Sequence, residues 1–343
     1  MRSIRALILP GAVLTVALCV AGCGASATTG HAHVGAQTQA DVARVVTVPD
    51  RPQRTTSLRA VQLAAIPEPR VSWPTYYDGS IWAKRDDGYL VRIDPRTNKQ
   101  TARLGHQTPI QFQPDCQGIG AGGGAVWSCR QTSITRIDPD QNRIIATIAV
   151  GKAHDQGWLV FAAGRIWVIT GTYGNQLVGI DTATNQPGPA ITLPYGCSNL
   201  ARGGDAVWVL CPLANHVVKV DVTHRRVIGS VPVESPYQGS ATRTDLWVGS
   251  NKNLVRIDAS TLKPNAIFLN VGPGMYGDVT VTGNHVWVST NDGPLNVIDA
   301  TTNTITEHIT APSGLGGGAL LAATGSIWLI AENIDTLLRL PST

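Results

Sequence analysis

Residues that could perform acid–base chemistry are present in this sequence, but they do not form a recognisable catalytic motif. No GxSxG, HExxH or phosphate-loop pattern occurs. The strongest acid–base set is His154, Asp155 and Glu332, which could serve a lyase or hydrolase if the fold brought these side chains together. The sequence therefore predicts no catalytic residue, no metal site and no cofactor, and an enzymatic function stays open as the alternative.

Cysteine spacing carries a clearer chemical signal. Cys116 and Cys129 flank Gly122-Gly123, and Cys197 and Cys211 flank a second Gly-rich loop. Residues directly opposite each other in an antiparallel hairpin lie roughly 4.5–5.5 Å apart at Cα, which is within disulfide range. We therefore predict the disulfides Cys116–Cys129 and Cys197–Cys211, each joining the two strands of one hairpin, with a bulge in the second hairpin.

A repeated pattern must position these residues. An aliphatic residue followed by tryptophan recurs seven times at intervals of 39 to 45 residues, at Trp82, Trp127, Trp167, Trp208, Trp247, Trp287 and Trp328. An aliphatic residue followed by aspartate trails each of the first six, at Asp94, Asp138, Asp181, Asp221, Asp258 and Asp299. We expect each tryptophan to pack between neighbouring sheets and each aspartate to accept hydrogen bonds from the backbone of a following turn.

Each repeat unit has room for four short strands. In the third unit these are residues 158–162, 166–170, 176–180 and 190–193, which are apolar or β-branched and bounded by turn residues. A four-stranded unit of about 40 residues is the size of a propeller blade. The sequence thus predicts an all-β, seven-bladed β-propeller over residues 55–343.

The ring is expected to close through the N-terminal strand. The seventh unit ends after residues 337–340 and so lacks its outer strand. Residues 56–63 resemble the outer strands of the other units, and we expect them to pair beside 337–340. That pairing would complete the last blade and remove two exposed sheet edges.

One face of this propeller is the predicted contact surface. If the four strands of each unit are named a to d in chain order, the connections between strands d and a and between strands b and c emerge together around the central channel. These connections contain Lys84, Arg85, Asp86, His154, Asp155, Trp158, Tyr195, Tyr237, Tyr276 and Glu332. Aromatic rings among mixed charges suit an envelope protein, a peptide or a glycan. The alternative is a solvated rim with no ligand.

Composition argues against nucleic acid as a partner. The formal charge is +4. Removal of residues 1–23 as a signal peptide would take away Arg2 and Arg5 and leave 25 basic against 23 acidic residues. No basic run or stripe occurs, so the phosphate backbone has no matching surface. The 36 glycines and 21 prolines favour many tight turns. We expect a monomer.

The N-terminus has the pattern of an export signal. Arg2 and Arg5 precede an apolar run, and the segment ends in Val20-Ala21-Gly22-Cys23. This ending resembles the bacterial lipobox, whose cysteine receives diacylglycerol and fatty acids such as palmitate. The resemblance implies a signal peptide over 1–23, lipidation at Cys23 and an anchor on the extracytoplasmic face of the cell membrane. An ordinary signal peptide or short membrane anchor is the alternative. Residues 24–54 are predicted to form a flexible tether.

The repeat unit also resembles a known family. Its tryptophan and Ile-Asp motifs, together with 147–151 and Pro194-Tyr195-Gly196, are similar to the repeats of YVTN-type and virginiamycin-B-lyase-like seven-bladed propellers, over residues 56–340. Membership of the lyase group implies ring opening of a cyclic depsipeptide by a histidine and a glutamate near a magnesium ion. A glutamate commonly lies three residues after the blade tryptophan in that group. None of those seven positions is acidic here, and Glu332 lies one residue beyond the last of them.

Overall fold

The chain forms a ring of seven antiparallel sheets. The structure, a computed structural model, describes residues 45–105, 116–154, 156–201, 203, 206–291, 295–312 and 315–342. Each sheet has four blade strands, and two sheets gain a fifth. No helix within these ranges has the length and apolar character needed to cross a membrane. The predicted all-β, seven-bladed β-propeller is confirmed.

Successive strands of each blade are named a to d from the channel outward. The a strands are Val71–Tyr77, Ile119–Gly122, Val160–Ala162, Asn199–Ala201, Gly239–Ala241, Asp278–Thr282 and Leu320–Ala323. The b strands are Ser80–Arg85, Ala125–Cys129, Arg165–Thr170, Val207–Cys211, Asp245–Ser250, His285–Ser289 and Ser326–Ala331. The c strands are Leu90–Asp94, Ser133–Asp138, Gln176–Asp181, His216–Asp221, Asn253–Asp258, Leu295–Asp299 and Thr336–Pro341. The d strands are Lys99–Leu104, Arg143–Ala149, Ile191–Thr192, Arg226–Pro232, Pro264–Phe268, Thr304–Thr310 and, in blade 7, Ala64–Pro67.

The N-terminal segment closes the ring, but with a later stretch than predicted. Ala64–Pro67 pairs antiparallel with Thr336–Pro341 and completes blade 7. The predicted stretch, 56–63, instead contains the end of Arg54–Ser57, a fifth strand parallel to strand d of blade 6, and the one-turn helix Leu58–Val61. Leu58 explains the shift, because its side chain is buried in the core between blades 6 and 7 and cannot also lie in the blade 7 sheet.

Part of the predicted tether is also paired. Val46–Val48 forms a fifth strand parallel to Pro264–Phe268 in blade 5. The tether predicted over residues 24–54 therefore differs from the structure at its end, where two short stretches follow the outer edges of blades 5 and 6. The rest of that prediction, through residue 44, lies outside the described residues.

A repeated contact joins one blade to the next. The seven blade tryptophans are buried, as predicted, with 3% or less of each side chain exposed. A basic side chain on strand c lies over the tryptophan ring and reaches the turn between strands c and d of the following blade. Arg136, for example, lies 5.1 Å from the Trp127 ring centroid, and its Nη1 donates to the Thr182 carbonyl and to Asn185 Oδ1, both at 2.8 Å. We call this contact of a basic strand c residue with its own tryptophan and with the next blade the latch. The described residues show the latch at five boundaries, through Arg92, Arg136, Lys219, Arg256 and Arg339.

The turns that receive the latch are shaped by the predicted aspartates. Asp258 Oδ1 accepts hydrogen bonds from the Ser260 hydroxyl at 2.7 Å and from the Thr261 backbone N–H at 2.8 Å, and these bonds lower the pKa of Asp258 to about 2. Asp94, Asp138, Asp181, Asp221 and Asp299 accept backbone hydrogen bonds in the same way. The predicted role of these aspartates is therefore confirmed.

An ion-pair network fastens the closing strand to blade 1. Glu68 follows Ala64–Pro67, and its carboxylate accepts a 2.6 Å hydrogen bond from Arg85. Arg85 also donates to both carboxylate oxygens of Asp87, at 3.0 and 2.6 Å. All three side chains are buried. Burial alone would raise the pKa of Asp87, but the hydrogen bonds and charge of Arg85 lower it below its ordinary value.

Both predicted disulfides are present, although the hairpin register differs from the prediction. Cys116 bonds to Cys129 across a Cα–Cα distance of 5.8 Å, and Cys197 bonds to Cys211. In the first hairpin Gly122 stands opposite Ala125, so that Gly118, and not Cys116, is level with Cys129. Cys116 therefore reaches its partner from just before strand a. The described pairs of the second hairpin run without the predicted bulge.

Loss of one latch should destabilise the ring. Arg256→Met keeps an apolar stem beside Trp247, but it removes the bonds to Ala300 and Asn303 and the 2.7 Å ion pair with Asp245. We expect the free energy of unfolding in urea at pH 7 to fall by about 2–4 kcal/mol, since Asp245 is left without its cation. Arg226→Met, at an exposed position on strand d of blade 4, is the matched control. Equal unfolding midpoints for the two variants would contradict this assignment.

The cost of Arg256→Met should also depend on pH. Burial would raise the pKa of Asp245, but the hydrogen bond from Arg256 lowers it. A lowered carboxyl pKa stabilises the fold above the unfolded value of about 3.9, and this stabilisation is lost as the pH falls through the folded value. The difference between wild type and variant should therefore shrink below about pH 4.

Candidate functional site

A cavity of about 580 Å³ opens at the centre of the face formed by the d–a and b–c connections. All seven blades contribute to its wall. Four of the seven tyrosines of the chain line it: Tyr173, Tyr195, Tyr237 and Tyr276. The wall also carries the amides of Gln117, Gln156, Asn199 and Gln238, and the ionisable side chains of His154 and Glu332. A second cavity of about 430 Å³ lies further along the channel between the a strands.

One side of the cavity is apolar and accessible. Tyr173, Tyr195 and Tyr276 expose 59%, 56% and 69% of their surface, although large apolar groups are normally covered. The rings of Tyr173 and Tyr195 have centroids 5.6 Å apart. Leu213 and Met275 are likewise exposed in the same wall. Exposed apolar side chains gathered in a concave surface are typical of a ligand site.

The position of Tyr195 is fixed by its neighbours. Gly196 donates its backbone N–H to the Tyr173 carbonyl at 2.8 Å. Its φ of +75° favours glycine, and an added Cβ would collide with Leu213. The Cys197–Cys211 disulfide follows directly, so it ties the connection that carries Tyr195 to the turn that carries Leu213. The disulfide thus braces the apolar wall.

Tyr276 is held by a tight turn in the d–a connection between blades 5 and 6. Its backbone N–H donates to Asn291 Oδ1 at 2.9 Å, and the Gly277 N–H donates to the Pro273 carbonyl at 3.0 Å. Gly274 adopts a φ of +63° beside Asn291. The backbone is therefore ordered, although the tyrosine ring itself projects into solvent.

Glu332 also lines the cavity, and it lies in the short 3-10 turn Glu332–Ile334 of blade 7. The turn ends at Asp335, whose Oδ1 accepts a 2.7 Å hydrogen bond from the Arg70 backbone N–H. Glu332 is exposed to solvent. The protein around its carboxylate still desolvates it in part, and this desolvation, together with the negative charge of Asp86, raises the pKa of Glu332 to about 7.

Two polar atoms of the wall lack partners. Within the described part of the chain, His154 Nε2 and Asn199 Oδ1 are shielded from solvent and make no hydrogen bond. An unsatisfied buried polar group costs roughly 1–3 kcal/mol, and in native proteins such groups mark functional sites or ordered solvent. Both atoms lie in residues that line the cavity.

The structure brings together half of the predicted face. His154, Tyr195, Tyr237, Tyr276 and Glu332 line the cavity. Asp86 does not line it, but lies close enough to Glu332 for its charge to act there. Asp155 and the predicted lipid site Cys23 lie outside the described residues.

Three predicted face residues are structural instead. Lys84 is buried, and its Nζ donates to the Cys116 carbonyl at 2.8 Å and to the Cys129 carbonyl at 2.5 Å. Arg85 is committed to the buried network that fastens the closing strand. Trp158 is 2% exposed and packs edge-on against Trp73 at 5.4 Å. Each of these side chains is buried because it contacts partners inside the protein.

Several lining residues were not among the predicted ones. These are Trp73, Gln117, Leu213, Met275 and the remaining amides of the wall. Gln117 and Met275 could have been found, because each lies beside strand a of its blade, as Tyr195 and Tyr276 do. Leu213 carries no such signal, since its exposure depends on the turn Pro212–Ala214.

Among the described residues, no group of three or more His, Cys, Asp or Glu side chains is placed to hold a metal ion. The described wall of the cavity consists mainly of aromatic and amide side chains, with His154 and Glu332 beside them.

Comparison with known proteins supports the fold. The chain is similar to the WD40 domain of Neurospora crassa Pan2, with a TM-score of 0.67 and 12% identity over 82% of this chain and 94% of that one. It is also similar to the β-propeller domain of Myceliophteria thermophila Cps50 (Swd1), with a TM-score of 0.64 and 14% identity over 82% and 99% of the two chains. No family model matches the sequence, and no curated protein sequence matches it.

The pKa of Glu332 can be measured directly, because the chain contains only four glutamates: Glu68, Glu234, Glu307 and Glu332. Carboxyl-13C glutamate labelling should give one resonance that titrates near pH 7 and is absent in Glu332→Gln. Asp86→Asn should lower this pKa, since a neighbouring negative charge is removed while the desolvation remains. Titration of Glu332 near the ordinary value of about 4.3 would contradict the described environment.

Proposed function

We propose that this protein is a membrane-tethered, extracytoplasmic propeller that binds a peptide segment of an envelope protein in its central cavity. The cavity lined by exposed tyrosines carries this proposal. Its volume of about 580 Å³ lies within the range of roughly 300–1,000 Å³ typical of ligand pockets. Tyrosines suit such recognition because they offer a large rigid surface and a hydroxyl at a low entropic cost.

The polar groups of the wall favour a peptide among the possible ligands. Amide side chains can both donate to and accept from peptide groups, and Gln156 and Gln238 line the same cavity as the tyrosines. The unpartnered Asn199 Oδ1 and His154 Nε2 mark polar wall positions that protein contacts do not satisfy. A peptide main chain offers alternating donors and acceptors to such a wall.

The course of the N-terminal segment supports a tether on the opposite face. Strand d runs toward the cavity face, and Val46–Val48 is parallel to the d strand Pro264–Phe268. The chain therefore enters blade 5 from the face that carries the a–b and c–d turns. A lipid on Cys23, 23 residues before Val46, would attach the propeller to the membrane through this segment.

Lipidation can be tested by metabolic labelling with an alkyne analogue of palmitate in a bacterial host that processes lipoproteins. We expect label on the wild-type chain and none on Cys23→Ser, because only this cysteine follows the lipobox-like segment. Cys116→Ser/Cys129→Ser removes two other cysteines and should keep the label. Unlabelled wild-type protein, or label that survives Cys23→Ser, would overturn the proposed anchor.

Binding can be tested by placing a photo-crosslinking amino acid at position 276 or, as a control, at exposed position 76 near the a–b turns. A partner cross-linked only from position 276 would then be purified and titrated against the full chain in detergent. We expect Tyr276→Ala and Tyr195→Ala to weaken its affinity by about tenfold or more, as for aromatic anchors of other interfaces. Tyr76→Ala should leave the affinity unchanged. Equal cross-linking from both positions would refute the cavity as the binding surface.

A second function, a lyase or hydrolase, is favoured by one observation. His154 and Glu332 line the same cavity, and a glutamate with a pKa of about 7 suits general acid–base chemistry. The resemblance to virginiamycin-B-lyase-like propellers gives a substrate to try, a cyclic depsipeptide. Linearisation detected by mass spectrometry and abolished by Glu332→Gln would support this function, and an unchanged substrate would remove it.

A further inference from the structure

The charge distribution of the cavity is unbalanced. Among the described lining residues, Glu332 is the one carboxylate, and none is a lysine or an arginine. Its carboxylate makes no hydrogen bond or ion pair within the described part of the chain. Elsewhere in the propeller, buried or half-buried carboxylates such as Glu68, Asp87 and Asp245 pair with arginine. Glu332 is thus an acidic group that the fold leaves uncompensated.

The surroundings of Glu332 reinforce this imbalance. Asp86 of blade 1 and Asp335, which follows the Glu332–Ile334 turn, are also acidic. Asp335 accepts a hydrogen bond from the Arg70 backbone N–H, and the charge of Asp86 acts on Glu332. The charges of Lys84 and Arg70 act on Asp86, and the Lys84 ammonium donates hydrogen bonds to two backbone carbonyls. His154 is the one histidine among the described residues of the wall. A positively charged ligand would therefore give Glu332 the electrostatic partner that the described residues do not provide.

The aromatic wall defines the rest of such a ligand. Tyr173, Tyr195 and Tyr276 offer exposed rings in the same cavity as Glu332. Cations interact favourably with tyrosine rings, and the apolar stems of lysine and arginine pack against them. A side chain with a long apolar stem and a charged end matches both halves of the wall.

On the basis of the proposed function, we propose that the cavity receives a basic side chain, arginine or lysine, of the bound peptide, with its charged end at Glu332 and its stem against the tyrosines. This inference names the residue type that the cavity selects. A free organic cation has the same charge but lacks the peptide groups that the amides of the wall would bind.

The test uses the full chain in detergent and three probes: the blocked tripeptide acetyl-Ala-Arg-Ala-amide, its citrulline counterpart and ethylguanidinium. Citrulline has nearly the shape of arginine but no charge. We expect calorimetry to show at least about tenfold tighter binding of the arginine peptide than of the citrulline peptide. Ethylguanidinium should bind more weakly than the arginine peptide, since it makes no contact through peptide groups. Tighter binding of ethylguanidinium would assign the cavity to free cations and overturn the peptide proposal.

Two variants locate the effect. Glu332→Gln should reduce the preference for arginine over citrulline to about one, whereas Glu234→Gln, which removes an exposed carboxylate of the same face outside the cavity, should preserve it. The arginine peptide should also bind more tightly as the pH rises from about 6 to about 8, because its charge favours ionised Glu332, and binding should release protons. A preference that persists in Glu332→Gln would overturn the inference.

The outcomes separate this inference from the proposed function. If the cross-linked partner binds through Tyr195 and Tyr276 but tolerates replacement of its basic residues, the cavity is a peptide site without cation selection. If Tyr195→Ala and Tyr276→Ala also leave partner binding unchanged, the proposed function fails as well. Equal binding of the arginine and citrulline peptides, or no binding of either, contradicts the inference directly.

Discussion

The propeller depends on the latch between neighbouring blades. A basic side chain of strand c covers the buried tryptophan of its own blade and donates hydrogen bonds to a turn of the next, and Arg339 carries this contact from blade 7 to blade 1. A four-stranded blade has two faces to bury and cannot do so alone, so stability arises mainly at the boundaries. Each cation–π contact adds roughly 0.5–2 kcal/mol, and the turn receives charge-assisted hydrogen bonds as well. Within the described part of the chain, two boundaries lack this contact. Blade 3 has Gly179 in place of the basic residue, because the ring of Trp167 occupies the space of a side chain there, and Arg225 of blade 4 instead donates to the Pro189 carbonyl of blade 3.

Ring closure creates the cavity as well as the fold. Asp86 belongs to blade 1 and Glu332 to blade 7, and their interaction exists only because the strand Ala64–Pro67 completes blade 7 beside blade 1. The buried Glu68–Arg85–Asp87 network lies at the same boundary. Removal of one of its members would leave an unpaired buried charge, which typically costs about 3–5 kcal/mol. The geometry of the acidic wall is thus coupled to the stability of closure.

Much of this architecture could be predicted from sequence because its determinants are periodic. The tryptophan spacing gave the blade count, the aspartates gave the turns, and the cysteine positions gave both disulfide pairs. Properties set by distant contacts could not be predicted. Lys84 and Arg85 occupy a connection whose charges ordinarily face solvent, but their partners lie 32 and 17 residues away, at Cys116 and Glu68. The closing strand was misplaced for a similar reason. Leu58 suits a strand locally, and only the core around Trp287 and Ile309 makes a helical turn more favourable.

The turn that carries Glu332 has a counterpart in blade 4, and comparison of the two shows which residues the turn itself requires. Blade 4 forms the same kind of turn, Pro212–Ala214, with a left-handed asparagine after it, just as Asp335 follows Glu332–Ile334. Proline occupies the position of Glu332 there, so the turn does not need a carboxylate. A partly desolvated acid beside a second acid is unfavourable, and no contact within the described residues offsets that cost. Natural sequences keep such local inconsistencies mainly where function requires them. Glu332 is therefore better explained by the ligand proposed for the cavity than by the structure that surrounds it.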